Sequence, residues 1–272
     1  MIKQVLFYHF RVSYFVGNNS SNYYICLIDV MGQKEFFESI RTADVSAEVH
    51  DNIVRVSDGL REMIRYVKNR YDRLFEKDDD AGIELFSDSI LLSLKDRGAD
   101  NVRLSTWFEI IMKVIFIACK HKLPFRGSIV KGAAHRSKGG MIYGVAVDEA
   151  MELEQSRADS FRVILSNTLA HELACVNGID SEKYLDLDAD CAMVLNYAGP
   201  AILGMTEFAR ERQSLREIAD WVLERFRYFC YDGTEEHDKH ANPKLARRFK
   251  MWGEYLMLEV SKETIAKYVR NI

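Results

Sequence analysis

The sequence predicts an α+β sandwich: helices on one face of a largely antiparallel sheet, followed by a carboxy-terminal helical appendage. Three observations carry that prediction. Short apolar runs of strand type, such as "YYICLIDV", alternate with longer stretches whose apolar residues recur at helical spacing. Two such runs in "GIELFSDSILLSL" flank Ser87-Asp88-Ser89, the pattern of a tight hairpin with a carboxylate at its tip. After Pro200 the pattern turns amphipathic and helical.

The elements follow in chain order. "MIKQVLFYHFRVSYFVG" faintly imitates a signal peptide, but His9 and Arg11 interrupt its apolar centre and no small-residue cleavage site follows, so a leading strand or hairpin is expected. The next strand ends at Asp29. Ile53, Val56, Leu60, Met63, Ile64 and Val67 predict a helix over roughly 46–75. The acidic run 76–82 reads as a solvated loop leading into the hairpin. "LSTWFEIIMKVIFIACKH" predicts a second, more apolar helix packed on the sheet, and Pro124 marks the boundary before a strand over 125–132. Further strands are predicted at 162–166 and 190–196. Leu215, Ile218, Val222, Phe226 and Phe229, then Leu245, Phe249, Trp252 and Leu256, predict two amphipathic helices; Asn242-Pro243 reads as an N-cap followed by proline at the first helical position. The expected division is residues 1–200 as one domain and 201–272 as a helical cover for the sheet or for a partner subunit.

Bulk properties bound the function. With 272 residues, 48% of them hydrophobic, the chain can bury a proper core. Its 37 Lys+Arg against 41 Asp+Glu give a formal charge of -4, so nothing advertises the basic stripe of a non-specific nucleic-acid binder, and no nucleic-acid partner is expected. Cys26, Cys119, Cys175, Cys191 and Cys230 are scattered without a Cys-x-x-Cys pair, which argues against a disulfide framework and a zinc knuckle and for buried thiols in a reducing compartment. The sequence lacks an apolar run of about 18 residues, so no membrane span is predicted and a cytoplasmic location is the expectation.

The chemistry is expected at the strand end. A buried carboxylate is costly unless something binds it, yet "YYICLIDV" closes on Asp29 and is followed at once by Met31-Gly32-Gln33 and a new amphipathic pattern. If the first strand and the hairpin are adjacent, Asp29 and Asp88 converge at one edge. Two aspartates sharing a site call for a cation between them, and their hard oxygens suit Mg²⁺ or Mn²⁺. A pair of such ions is a device for displacement at phosphorus. Gly32 lacks a β-carbon just before the helical pattern begins, so the backbone amides of Met31, Gly32 and Gln33 are expected to be able to approach phosphates at a helix start. The competing reading is that Asp29 and Asp88 are ordinary turn aspartates.

These residues resemble a family. "LIDVMGQKEFF" looks like the first-strand motif of class III nucleotidyl cyclases, "FSDS" resembles their second metal-aspartate hairpin, and "FRGSIVKGAAHRSKGGMIYGVAVDEAMELE" is similar to their later strand, glycine loop and helix. The resemblance covers roughly residues 20–170 and is greatest to the pyrimidine cyclases of bacterial Pycsar anti-phage systems. It implies a class III cyclase-like sandwich in residues 1–200. It further implies that Asp29 and Asp88, with the Val30 carbonyl, bind two Mg²⁺ or Mn²⁺ ions. The product implied is a 3′,5′-cyclic nucleotide: cyclic UMP from UTP first, cyclic CMP second. A homodimer with sites at the subunit interface is implied, together with a separately encoded, cyclic-nucleotide-responsive effector. Asp148 and Glu152 stand where purine-cyclising relatives carry Asn and Arg, and Glu84 and Met141 where they carry the purine-selecting Lys and Asp. Arg126, Lys131, Arg136 and Lys138 are the candidates for phosphate contact, Arg126 and Arg136 foremost. The acidic pair at Asp148 and Glu152 keeps a second reading open, a cyclase-like domain that binds nucleotide or a partner without chemistry.

Other signals fail their own geometry. Asp186, Asp188 and Asp190 alternate as in a calcium loop, but the sixth position is Cys191 and the twelfth Tyr197, so a polar strand edge is expected instead. His237 and His240 lack a further ligand pair nearby, and "KGAAHRSKGG" lacks the ending of a Walker loop.

Overall fold

The computed structural model describes residues 21–30, 47–75, 81–86, 89–98, 100–137, 140–158, 161–175, 184–188, 190–197 and 217–222, with residues 224, 250, 252, 253 and 256. The expectations for the leading strand, Met31, Gly32, Gln33, Asp88, Lys138, His237 and His240 lie outside the described residues.

The described elements are β1 (Ser21–Val30), α1 (Ala47–Phe75), β2 (Ala81–Phe86), β3 (Ser89–Lys95), α2 (Asn101–Lys120), β4 (Phe125–Arg136), β5 (Ile142–Tyr143), α3 (Val145–Ser156), β6 (Val163–Leu165), α4 (Asn167–Cys175), β7 (Leu185–Leu187) and β8 (Met193–Leu195). The sheet runs β2-β3-β1-β4-β6-β8-β7, with β5 paired to β4. It is mixed and mostly antiparallel; the parallel pair is β4 with β6. The fold is therefore α+β, as the periodicities predict.

Alternation along β1 sets the layers. Tyr24, Cys26, Ile28 and Val30 enter the larger core with Met63 and Val67 of α1 and Trp107, Ile111 and Ile115 of α2. Tyr23, Ile25 and Leu27 point to the opposite face and meet Ala146 and Ala150 of α3. This corrects the expectation of helices on one face, because α3 covers the second. The reason is a narrow stripe of small residues: a Cβ on Gly132 would stand 3.3 Å from the Ala146 Cβ, so the helix lies close on β4. Ser128 Oγ then donates to the Ala150 carbonyl at 2.6 Å and fixes the helix along the strand.

α2 begins where Asp100 accepts from the Arg103 amide at 3.1 Å, satisfying one free N–H of the first turn. It ends at His121 and Lys122, the latter at φ 56, one residue before the buried Leu123. Six described residues of the 201–272 segment, Ile218, Ala219, Trp221, Val222, Trp252 and Leu256, join the main core. Trp252 stacks on Phe161 with centroids 4.1 Å apart and donates its indole N–H to the Tyr197 hydroxyl at 2.7 Å. Trp221, Val222 and Leu256 are buried in the same cluster.

Candidate active site

Asp29 is the penultimate residue of the central strand β1. It stands opposite Ser89, the first residue of β3, and opposite Arg126 on β4. Phe86 and Ser89 pair across the β2–β3 connection, so in the sequence Asp88 directly precedes the residue facing Asp29. The Asp29 side chain is 16% exposed. Ser89 Oγ donates to its Oδ1 at 3.0 Å, and Arg126 Nη2 and Nε each lie 3.5 Å from Oδ2.

Arg126 has a closer partner. Its Nε is ion-paired to Glu154 Oε1 on α3, a carboxylate that is 3% exposed. Glu154 continues the Ala146-Ala150 stripe by one more turn, so the strand that seats α3 also aligns an acid with Arg126. The carboxylate at the strand end is therefore balanced in part by a guanidinium shared with a second acid. The oxygen donors at this strand end, the Asp29 carboxylate and the Ser89 hydroxyl, suit a hard divalent cation. Among the described residues, no group of three His, Cys, Asp or Glu side chains is placed to hold a metal, so a centre would need Asp88 as well as Asp29.

The remaining candidates fall elsewhere. Val30 closes β1 opposite Phe125, its side chain buried on the other face from Asp29. Arg136 lies ten residues from Arg126 on the same strand, roughly 33 Å away at strand rise, so one chain does not bring the two arginines together. It donates to Ser93 Oγ and lies 3.6 Å from Glu84 Oε1. A Cβ at Gly82 would meet the Arg136 guanidinium, the movable end of a long side chain. Lys131 donates to Asp96 at 2.9 Å and to Glu172. Burial alone would lower its proton affinity, but these hydrogen bonds outweigh burial and hold the ammonium above the ordinary lysine value. Lys131 and Tyr24 border a cleft of about 250 Å³ at the far end of β1 from Asp29.

Glu84 Oε1 accepts from the Ile142 amide at 3.0 Å, tying the edge strand β2 to β5. Its Oε2 is buried and makes no hydrogen bond with the described residues. Burial raises the Glu84 carboxyl above its usual value, against the lowering influence of the Ile142 amide and Arg136. Met141, Asp148 and Glu152 are exposed, as are Phe86, Tyr143 and Val145. Asp188 and Asp190 both bind Arg162, so the alternating acids serve as the anchor of a β7–β8 hairpin.

Glu154 is the residue that sequence reasoning missed. Its signal was present: Ala146, Ala150 and Glu154 recur every fourth residue, which places an acid on the buried stripe of the helix.

No protein-family model matches the chain, and no curated protein sequence matches it. Among solved structures, those it is similar to include nucleotidyl cyclase domains. The guanylyl cyclase domain of the RhoGC fusion protein from the aquatic fungus Blastocladiella emersonii is 13% identical, with 64% of this chain and 94% of that one covered at a TM-score of 0.41. A bacterial light-regulated adenylyl cyclase is 11% identical, covering 71% and 98% at 0.40. Adenylate cyclases from Trypanosoma brucei, in their monomeric state, are 10% identical, covering 66% and 94% at 0.42. At these scores nothing about this chain's chemistry follows from the likeness. No helix among the described residues is long and apolar enough to cross a membrane.

Proposed function

We propose that the chain is a divalent-cation-dependent nucleotidyl cyclase that acts on a pyrimidine nucleoside triphosphate, UTP first, and releases 3′,5′-cyclic UMP and pyrophosphate as a signal in anti-phage defence. The observation that carries the reading is the pairing of Asp29 with Ser89, which sets the carboxylate closing the central strand beside the residue next to Asp88. Asp29 and Asp88 would hold the ions, Mg²⁺ or Mn²⁺, with the Val30 carbonyl; such ions lower the pKa of the attacking hydroxyl and neutralise charge on the leaving group. In the reaction the ribose 3′ oxygen bonds to the α-phosphorus, the bond to pyrophosphate breaks, and the hydroxyl proton departs to water. Met31, Gly32 and Gln33 would offer amides to the phosphates.

A pyrimidine is favoured because Glu84 and Met141 occupy the positions that the family resemblance assigns to purine selection. A homodimer with the site between subunits is favoured by exposed Phe86, Met141, Tyr143 and Val145 and by the separation of Arg136 from Asp29 along one chain. The cyclic product would act on a separate effector protein.

The test is incubation of the purified chain with each of the four nucleoside triphosphates and Mn²⁺, with products identified by mass. Cyclic UMP is expected, and Asp29→Ala should abolish it without unfolding the protein. Cyclic AMP or cyclic GMP as the sole product defeats the pyrimidine assignment, and cyclic CMP moves it to cytidylate. Exposed acids at Asp148 and Glu152 favour a second reading, a nucleotide-binding domain without turnover, because acids cannot donate to a negative transition state. A nucleotide-induced thermal shift with no pyrophosphate released over hours would select it.

A further inference from the structure

We propose that Glu154 is a positioning residue for the cation site: it holds Arg126 as a counter-ion that Asp29 can give up when a divalent cation binds. The inference rests on the metal-binding reading of Asp29 given above.

The geometry is asymmetric. Arg126 stands between two carboxylates, ion-paired closely to Glu154 and only 3.5 Å from Asp29 on its other side. Glu154 is 3% exposed and fixed by its helix, which Ser128 pins to β4 through the Ala150 carbonyl. It is too buried to turn to water, so it holds Arg126 from the protein side of the site. Asp29 sits at a strand end, more exposed, and keeps the Ser89 hydrogen bond at Oδ1 independently of Arg126. The guanidinium is thus anchored on the buried acid and leans on the exposed one.

Two consequences follow for a cation approaching Asp29. The positive charge of Arg126 is already cancelled by Glu154, so it opposes a second positive charge only weakly. The Oδ2 atom is freed by a small withdrawal of Arg126 toward a partner it already holds, with no new desolvation. Removing the Glu154 charge reverses both. Among the described residues, Arg126 is then left with Asp29 as its carboxylate, binds it fully, and confronts the cation with an unbalanced charge.

The experiment measures Mn²⁺ binding to the full 272-residue chain without nucleotide, by the loss of the free Mn²⁺ spin-resonance signal, so that turnover plays no part. Glu154→Gln keeps the side-chain shape and is expected to weaken Mn²⁺ binding at least about tenfold, the scale on which a neighbouring charge shifts ionic equilibria. The double variant Arg126→Gln with Glu154→Gln removes both charges, leaves a neutral amide pair in the buried position, and is expected to restore affinity to wild type or better. An unchanged affinity in Glu154→Gln, or a double variant as weak as the single, overturns the proposal. Asp29→Asn separates the two levels. If the wild type binds Mn²⁺ and Asp29→Asn does not, the cation reading stands whatever Glu154→Gln does. If wild type and Asp29→Asn behave alike, the cation reading falls and this inference falls with it.

Discussion

Gly127 lies between Arg126 and Ser128 on β4, opposite Ile28 of β1 and beside Val163 of β6, where three strands meet next to the candidate site. A Cβ at this position would stand 2.5 Å from the Leu27 carbonyl oxygen and 3.1 Å from Val163 Cγ2. Ordinary contact begins at 3.4 Å, so β1 and β4 must separate by about 0.9 Å or twist locally. Neither strand can yield as a flexible side chain does, because the obstructing atom is backbone within the central pair of the sheet. Overpacking of this kind costs about 1–3 kcal/mol, and the backbone obstacle puts Gly127→Ala toward the upper end. At roughly 2–4 °C per kcal/mol for a chain of this size, the melting temperature should fall by about 4–10 °C. Gly132→Ala is the internal comparison: its nearest obstacle is the Ala146 Cβ at 3.3 Å, which α3 can relieve by a slight shift, so its loss should be smaller. Thermal melts and urea titrations followed by circular dichroism read both, with the urea slope unchanged if the native state stays compact. A Gly127→Ala protein that melts within about 1 °C of wild type, or one more stable than Gly132→Ala, refutes the steric account.

Two further outcomes are expected. Glu84 is held above its usual proton affinity by burial, so its contribution to stability is present below the unfolded-state value and is lost as pH rises through the folded-state value. Glu84→Gln keeps an acceptor for the Ile142 amide and removes the desolvated charge; it should stabilise the protein by about 1 kcal/mol at neutral pH, with the gain vanishing in acid, and a loss of stability at neutral pH would contradict this. Trp252 is buried against Phe161 and Tyr197, so Trp252→Ala should cost about 3–5 kcal/mol by urea unfolding; a cost under about 1 kcal/mol would mean that the carboxy-terminal helical segment is not part of the core.

The elements were legible wherever a local period was strong. Met63, Val67 and Tyr71 recur every fourth residue and are buried together on α1, and the paired apolar runs around residues 87–88 are β2 and β3. Boundaries held less well where tertiary contacts extend an element. The strand predicted over 125–132 runs on to Arg136, because β1 and β5 continue to pair with it. Of the candidate site, Asp29 at a strand end could be read directly. Lys131 could not be sorted from a ligand-binding lysine, since Asp96 and Glu172, which bind it, are 35 and 41 residues away in sequence.

By itself the sequence determined β1, α1, the β2–β3 hairpin, α2, most of β4, and β6 and β8, the carboxylate at the end of the first described strand, and the absence of a long apolar run, since each depends on the order of neighbouring residues; α4, β5 and β7 carry no such local signal. Tertiary structure alone decided that β1 lies between β3 and β4, that α3 packs on the second face, and that Arg126 is shared between Asp29 and Glu154. Arg126 and Asp29 are 97 residues apart. Their meeting is fixed by strand pairing and by the small-residue stripe that seats α3, and no local pattern contains either.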